Sequence, residues 1–347
     1  MAVAGCGTHT AAIIDRSGAM VARAEVLIHV EWTRVLDDVS TAEVIIQPDG
    51  DCCRTLSAVR SWRHSLAIWR DGRPVWSGPI VDVSWGLGEI QVQAVDVLGW
   101  LDRRVPHQDL VFGDDADLAQ IAAALIEDGF APDDPGHSVQ IIAPSGVRGA
   151  RAYDRGIGQT GDHLRDLAET GLDYTAVGSK ILLMPETHAV SVGRLTDADL
   201  PDGLRVEEDG AALATRWVVA GAEDGDVLGE AGGIHPYYGL LERYEEQTSL
   251  KTNAAATAAA RSKLSTSLPV PVFIDTQQVT IDPQAAISVP ALVPGWCLDV
   301  TTTTTCRDIS QRLKIVGLKV TEDGDSGGQP GAESVQVQVA ATGAEAA

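Results

Sequence analysis

The sequence predicts a mainly-β protein: two small antiparallel β-barrel domains, 1–108 and 206–347, flanking a small α+β module at 109–205. Three observations carry this expectation. The stretch 65–96, SLAIWRDGRPVWSGPIVDVSWGLGEIQVQAVD, reads as a meander of three strands. Apolar residues then recur at helical spacing between 109 and 200. Strand text rich in β-branched residues returns from Pro269 to the end.

The first strand lies in 25–35, EVLIHVEWTRV. Val26, Ile28, Val30 and Trp32 fall on one face, and Leu27, His29, Glu31 and Thr33 on the other. Asp37-Asp38 makes a turn. AEVIIQ at 42–47 is the next strand, stopped by Pro48-Asp49-Gly50-Asp51. The apolar run 66–69 ends at Arg70-Asp71-Gly72-Arg73. Asp-Gly between apolar runs signals a type I′ hairpin turn, which needs positive φ at both central residues. Residues 75–83 return, with Gly78-Pro79 as a bend, bulge or edge position. Trp85-Gly86-Leu87-Gly88 turns again. Ile90, Val92 and Ala94 then alternate with Gln91 and Gln93. This spacing and turn punctuation suggest a small barrel or sandwich, which 98–105 leaves.

The character changes at Pro106. Asp114 or Asp115 is expected to cap a helix carrying Leu118, Ile121, Ala122, Leu125 and Ile126, with Gly129 at its C′ position. Thr160 caps a second helix bearing Leu164, Leu167 and Ala168, stopped by Gly171. A hairpin of 172–177 and 180–184 follows across Gly178-Ser179. Strand character resumes at 216–220, and 221–233 reads as a Gly- and acid-rich loop. Thr252 starts an alanine-rich helix over 252–264, whose thin apolar stripe suits light packing on a sheet. VPVFIDTQQVTI, WCLDVTTTTT, RLKIVGLKVTED and AESVQVQVAAT are the closing strands, with 323–331 a mobile hairpin loop.

The formal net charge is −23, from 49 acids against 26 bases, which argues against adhesion to nucleic acid through phosphate neutralisation. No run of 18 apolar residues predicts a membrane span. The N-terminus lacks the basic start and apolar core of a signal peptide, so folding in a cytoplasm is expected. Cys6, Cys52, Cys53, Cys297 and Cys306 are odd in number and form no C-x-x-C. Buried free thiols are the expectation.

No nucleophile elbow, phosphate-binding loop, dinucleotide fingerprint or zinc-protease motif occurs. His9, His29, His64, His107, His137, His163, His188 and His235 are scattered singly, as structural histidines are. The best metal candidate is the loop of Asp197, Asp199, Asp202, Glu207 and Glu208. Its Pro201 and Asp202 stand where a calcium loop of the EF-hand type needs a ligand and a glycine, so an acidic surface loop is the expectation. The run at Glu223, Asp224 and Asp226 is weaker. Asp197 with Glu208 is the one acidic pair considered for hydrolysis. Trp32, Trp62, Trp69, Trp76, Trp85 and Trp100 fill a core or an interface, or, if exposed, form a sugar-stacking platform. No catalytic, cofactor-binding or metal-ligating residue is assigned, and no cofactor is expected.

The order of "WRHSLAIWRDGRPVWSGPI", "HLRDLAETGLDYTAVGSKILLMP", "LVPGWCLDV" and "QRLKIVGLKV" along the chain resembles minor tail proteins of long-tailed bacteriophages of actinobacteria, and more broadly baseplate hub proteins that continue the tail tube. The resemblance covers nearly the whole chain. It implies a homotrimer whose paired β-barrels make a pseudo-hexameric ring in the virion tail tip, assembled in the host cytoplasm. It also implies contacts with the distal tail protein and the tape-measure protein, and passage of DNA without specific binding. No enzymatic role is implied. A host-receptor or glycan-binding tip protein is the alternative.

Overall fold

The computed structural model describes residues 5–24, 27–47, 55–201, 206–208, 210–211, 213–221, 226–247, 250–268, 272–274, 279–302, 309–324 and 331–345; at 206–208, 272–274, 309 and 341–345 the description covers the backbone alone. The first strands follow the alternation of their apolar residues. β1 (His9–Asp15) and β2 (Met20–Ala24) form a hairpin held by the Asp15 carboxylate, which accepts from the backbone N–H groups of Ser17 and Ala19. β3 (Leu27–Val35) buries Val30, Trp32 and Arg34, and β4 (Thr41–Ile46) buries Ala42, Val44 and Ile46. The meander is β5 (His64–Arg70), β6 (Arg73–Trp85) and β7 (Ile90–Val95). Asp71 and Gly72 have φ of 50° and 73°, as a type I′ turn requires. β6 pairs with β5 as far as Pro79 and with β7 from Ile80 onward. Gly78 permits that exchange, because any Cβ there would collide with the Val95 carbonyl.

A 3₁₀ turn (Val97–Arg103), capped by Asp96, leads into the α+β module. The module holds β8 (Leu110–Phe112), α1 (Leu118–Phe130), β9 (Ser138–Ile141), β10 (Arg151–Tyr153), α2 (Thr160–Ala168), β11 (Leu172–Val177) and β12 (Lys180–Pro185). β11 and β12 form the expected hairpin, and β9 lies parallel to β12. The α1 stripe packs with Leu101, Leu164, Tyr174 and Ile181 into a core of its own. Its cap differs from the expectation. Asp117, not Asp114 or Asp115, accepts from the Ala119 N–H, and the same carboxylate accepts from Ser145 and Gly146, which pins a distant loop. Gly129 lies inside α1 rather than after it, pressed against Leu101 and Thr160. Gln159, not Thr160, is the N-cap of α2.

The remainder contains β13 (Ser191–Thr196), β14 (Val206–Glu208), β15 (Arg216–Ala220), β16 (Leu228–Gly232), β17 (Glu242–Glu246), α3 (Asn253–Ser267), β18 (Val272–Ile274), β19 (Val279–Thr280), β20 (Cys297–Thr302), β21 (Ile309–Asp323) and β22 (Glu333–Glu345). The glycine-rich stretch read as loop thus supplies β16, antiparallel to β15. α3 begins at the Thr252 cap and buries little beyond Ala256 and Ala260 against Trp217 and Val219. Gly229 lets its backbone settle directly on β16, since a Cβ there would strike the helix at Ala256 and Thr257.

β21 is the spine. Its first half pairs with β20, its second half with β3, and β22 runs along its other edge. Among the described residues, twelve strands join one sheet in the order β13-β20-β21-β3-β4-β7-β6-β5-β1-β2, with β22 branching from β21 and β19 pairing with β22. One core runs through it, from Ile68, Ile80 and Val92 to Leu298, Ile315 and Val335. Arg34 is buried in that core and donates to the carbonyls of Val75, Pro290 and Leu292. The mainly-β class with an α+β insert is what the chain adopts. Strands of 1–108 and 206–347 hydrogen-bond to each other through β3 and β21, and β13, counted with the module, lies parallel to β20. Pairing between positions so distant leaves no local trace in the sequence.

Candidate functional site

Two buried polar clusters hold the sheet together. The first forms at strand ends, where a charged residue follows the inward phase of its strand. Glu322 continues Leu318 and Val320 on β21, and Glu333 precedes Val335 and Val337 on β22. The register sets these two glutamates opposite each other, which is unfavourable unless both are compensated. Arg70 clamps Glu333 through two bonds of 2.6 Å, and both side chains are buried. His9 takes Glu322, with Nδ1 at 2.6 Å from Oε2. The Trp32 indole donates to His9 Nε2 at 3.1 Å. An indole nitrogen can only donate, so Nε2 carries no proton and the His9 proton sits on Nδ1, facing Glu322. The backbone N–H groups of Gly7 and His9 complete the carboxylates. This is a lock between the N-terminal hairpin and the C-terminal one. Its signal was present in the sequence, as four ionisable residues in apolar phase at strand ends.

The second cluster lines a cavity of about 380 Å³ between the β3–β4 turn, the module, β21 and α3. Asp37, in the left-handed region with φ of 61°, docks the turn on β11: its N–H donates to the Tyr174 carbonyl, and its Oδ1 accepts from the Tyr174 N–H at 2.8 Å. Burial, then the neighbouring Asp173, pushes the Asp37 carboxyl up to about 7. Burial also raises Asp173, although Lys314 Nζ lies 2.6 Å from its Oδ2. Lys314 donates as well to the Glu186 carbonyl. His188 lines the same cavity with its Nε2 buried and unpartnered, and burial holds its pKa below the ordinary value. The arrangement sets several carboxylates against one ammonium and offers no activated nucleophile. The nearby Cys297 is buried, and burial pushes its thiol up to about 11.

The other candidates resolve locally. The Asp199 carboxylate accepts from the Thr196 N–H and hydroxyl, each at 2.7 Å, in a capping box. Asp202, Glu223 and Asp224, together with the side chains of Glu207 and Glu208, lie outside the described residues, as do Cys52, Cys53 and Cys306. Among the described residues, no group of three or more His, Cys, Asp or Glu is placed to hold a metal ion. Cys6 is exposed, which corrects the expectation that the cysteines are buried. Of the histidines, His64 accepts from the Arg60 N–H, His107 and His137 pair with Asp128 and Asp134, His29 pairs with Asp323, and His163 meets the Ile157 carbonyl.

The tryptophans do not form a row. Trp32 and Trp76 are buried, whereas Trp85 is 53% exposed. Trp62 and Trp100 meet edge to face at 4.9 Å on the surface between the first strands and the module. Arg103 lies over Trp62 at 4.4 Å, and Arg16 and Arg104 lie over Trp100 at 5.5 and 5.9 Å.

No protein-family model matches the sequence, and no curated protein matches it. Solved structures do match its fold. The 43 kDa tail protein of prophage MuSo2 from Shewanella oneidensis superposes with a TM-score of 0.64 at 13% identity, over 97% of this chain and 100% of that one. A tail protein from Neisseria meningitidis gives 0.62 at 14% identity, over 95% and 96%. The E. coli c3393 protein gives 0.53 at 11% identity, over 91% and 73%. It is described as a type VI secretion system component with structural similarity to T4 bacteriophage tail proteins gp27 and gp5. This chain therefore has the fold of phage tail proteins from end to end.

Proposed function

We propose that this chain is a structural protein of a bacteriophage tail, and within the tail a baseplate hub subunit that continues the tail tube as a homotrimeric ring. The observation that supports this most is the match to a prophage tail protein over 97% of this chain and 100% of that one. The hub assignment draws on the likeness to the type VI component and on the order of motifs that resembles actinobacterial minor tail proteins. Neighbouring tip proteins and the tape-measure protein are the partners in this reading, and DNA passes through without being held. The glycan-binding alternative gains no platform from the tryptophans, since Trp32 and Trp76 are committed to the core.

The test is to image phage particles by electron cryo-microscopy with the chain tagged. Density at the tail tip with three copies around the axis is expected. A chain absent from the tail, or placed along the tube or at the head, refutes the hub reading.

A further inference from the structure

Two surfaces of this chain carry the residues that dominate protein interfaces. The first is the ladder of Arg103, Trp62, Trp100, Arg104 and Arg16. Two of its three guanidinium groups, Arg16 and Arg104, share the Asp133 carboxylate. Arg103 is exposed and pairs with no carboxylate among the described residues. A guanidinium lying on an indole face keeps its in-plane N–H edge free for a carboxylate. The loop bearing Trp62 is also held in an unusual state, with φ of 61° at a bulky residue, where a left-handed conformation is uncommon.

The second surface is the tip between β16 and β17. Ile234, Tyr237, Tyr238, Leu240 and Tyr244 are exposed there by 82, 89, 41, 46 and 60%. The tip is ordered from within. His235 and Gly239 form a β-bridge, the His235 ring stacks on Tyr238 at 4.9 Å, and its Nδ1 accepts from the Tyr237 N–H. Aromatic anchors held in place before contact lose little freedom on binding. β17 leads away from this tip and carries three glutamates against one arginine. Its Glu246 pairs with no cation among the described residues.

We propose that the ladder of one copy receives the tyrosine tip of a second copy, head to tail. Tyrosine faces and the Glu246 carboxylate are the chemistry that the stacked, exposed Arg103 takes, and interfaces are enriched in Tyr, Trp and Arg. Because the two surfaces differ, the contact is heterologous, and such contacts close into rings when the rotation permits. The inference rests on the ring reading above and supplies its contact.

Size distributions of the full chain are measured by sedimentation velocity. Wild type assembles. Arg103→Glu, and separately Tyr237→Ala with Tyr238→Ala, each weaken assembly on the order of tenfold or more, with the far-UV circular dichroism of the dissociated chains unchanged because all three side chains are exposed. Mixing the two variants restores one intact contact, so dimers form and nothing larger. Arg103→Glu combined with Glu246→Arg recovers assembly. Monomeric wild type, unimpaired variants, or a mixture that stays monomeric each overturn the proposal. A chain imaged at the tail tip whose variants still form rings overturns this contact and leaves the hub reading standing.

Discussion

Replacing Asp37 by asparagine is expected to stabilise the protein, by an amount that depends on pH. The Asp37→Asn side chain keeps an acceptor for the Tyr174 N–H and removes the charge that the cavity disfavours. The wild-type carboxyl is raised from the ordinary 3.8 to about 7, by burial and then by Asp173, with Lys314 acting the other way and Glu186 adding to the rise. The folded state thus holds a proton that the unfolded chain releases. Such a group costs nothing below about pH 3.8, and stability is lost as pH rises from there to about 7, where the loss levels off. The full gap corresponds to roughly 4 kcal/mol. Asp37 retains some access to solvent, so about 1–3 kcal/mol is the expected plateau. Urea titrations of both proteins at intervals from pH 4 to 8 measure this difference directly. It should be near zero at pH 4, rise through pH 5 and 6, and stay flat above 7. A difference that is constant with pH, or an asparagine variant less stable at pH 8, refutes the account of the cavity.

Gly72→Val places a β-branched residue at φ of 73° with open space around its Cβ, so the cost is one of backbone alone. A loss of about 1–3 kcal/mol in urea unfolding is expected, and none if the turn rearranges freely. Glu333→Ala removes the two 2.6 Å bonds that clamp the buried Arg70 guanidinium and should cost about 3–5 kcal/mol in the same assay. EDTA should leave the melting temperature unchanged, because Asp199 already serves Thr196; a drop that calcium reverses would count against this. With 49 acids against 26 bases, the channel of the assembled ring is expected to be net negative and the free protein to bind DNA weakly at physiological salt. A neutral or basic channel wall in the particle, or tight binding by fluorescence anisotropy, would contradict it.

What the sequence discloses here is what neighbours along the chain decide. Asp71-Gly72, the Thr252 cap, the hairpin over 172–184 and the α1 stripe depend on residues a few positions apart, and each forms as read. The errors arise where a distant group changes the local choice. Asp117 captures the α1 cap because Ser145 and Gly146 offer it further N–H donors. Gly129 stays within the helix, where Leu101 and Thr160 pack closely against it. The union of the two β regions through β3 and β21 is set by a register that no turn specifies. The cluster of His9, Arg70, Glu322 and Glu333 was readable one residue at a time, as charges in apolar phase, but not as a set, because only the folded sheet brings them together.

That cluster also bears on when the protein can finish folding. Gly7 and His9 donate to Glu333 and Glu322, across 326 and 313 positions. During synthesis the ribosome releases the N-terminal strands long before β21 and β22 exist. Until then Arg70 is without Glu333, β3 has an open edge and half the core is missing. Contacts this distant are slow to close. The nascent chain therefore carries an unpaired strand edge throughout elongation, which invites wrong pairing with other copies. Completion of the β21–β22 hairpin is what ends that exposure, so a subunit becomes competent to join an assembly only after both strands have left the ribosome.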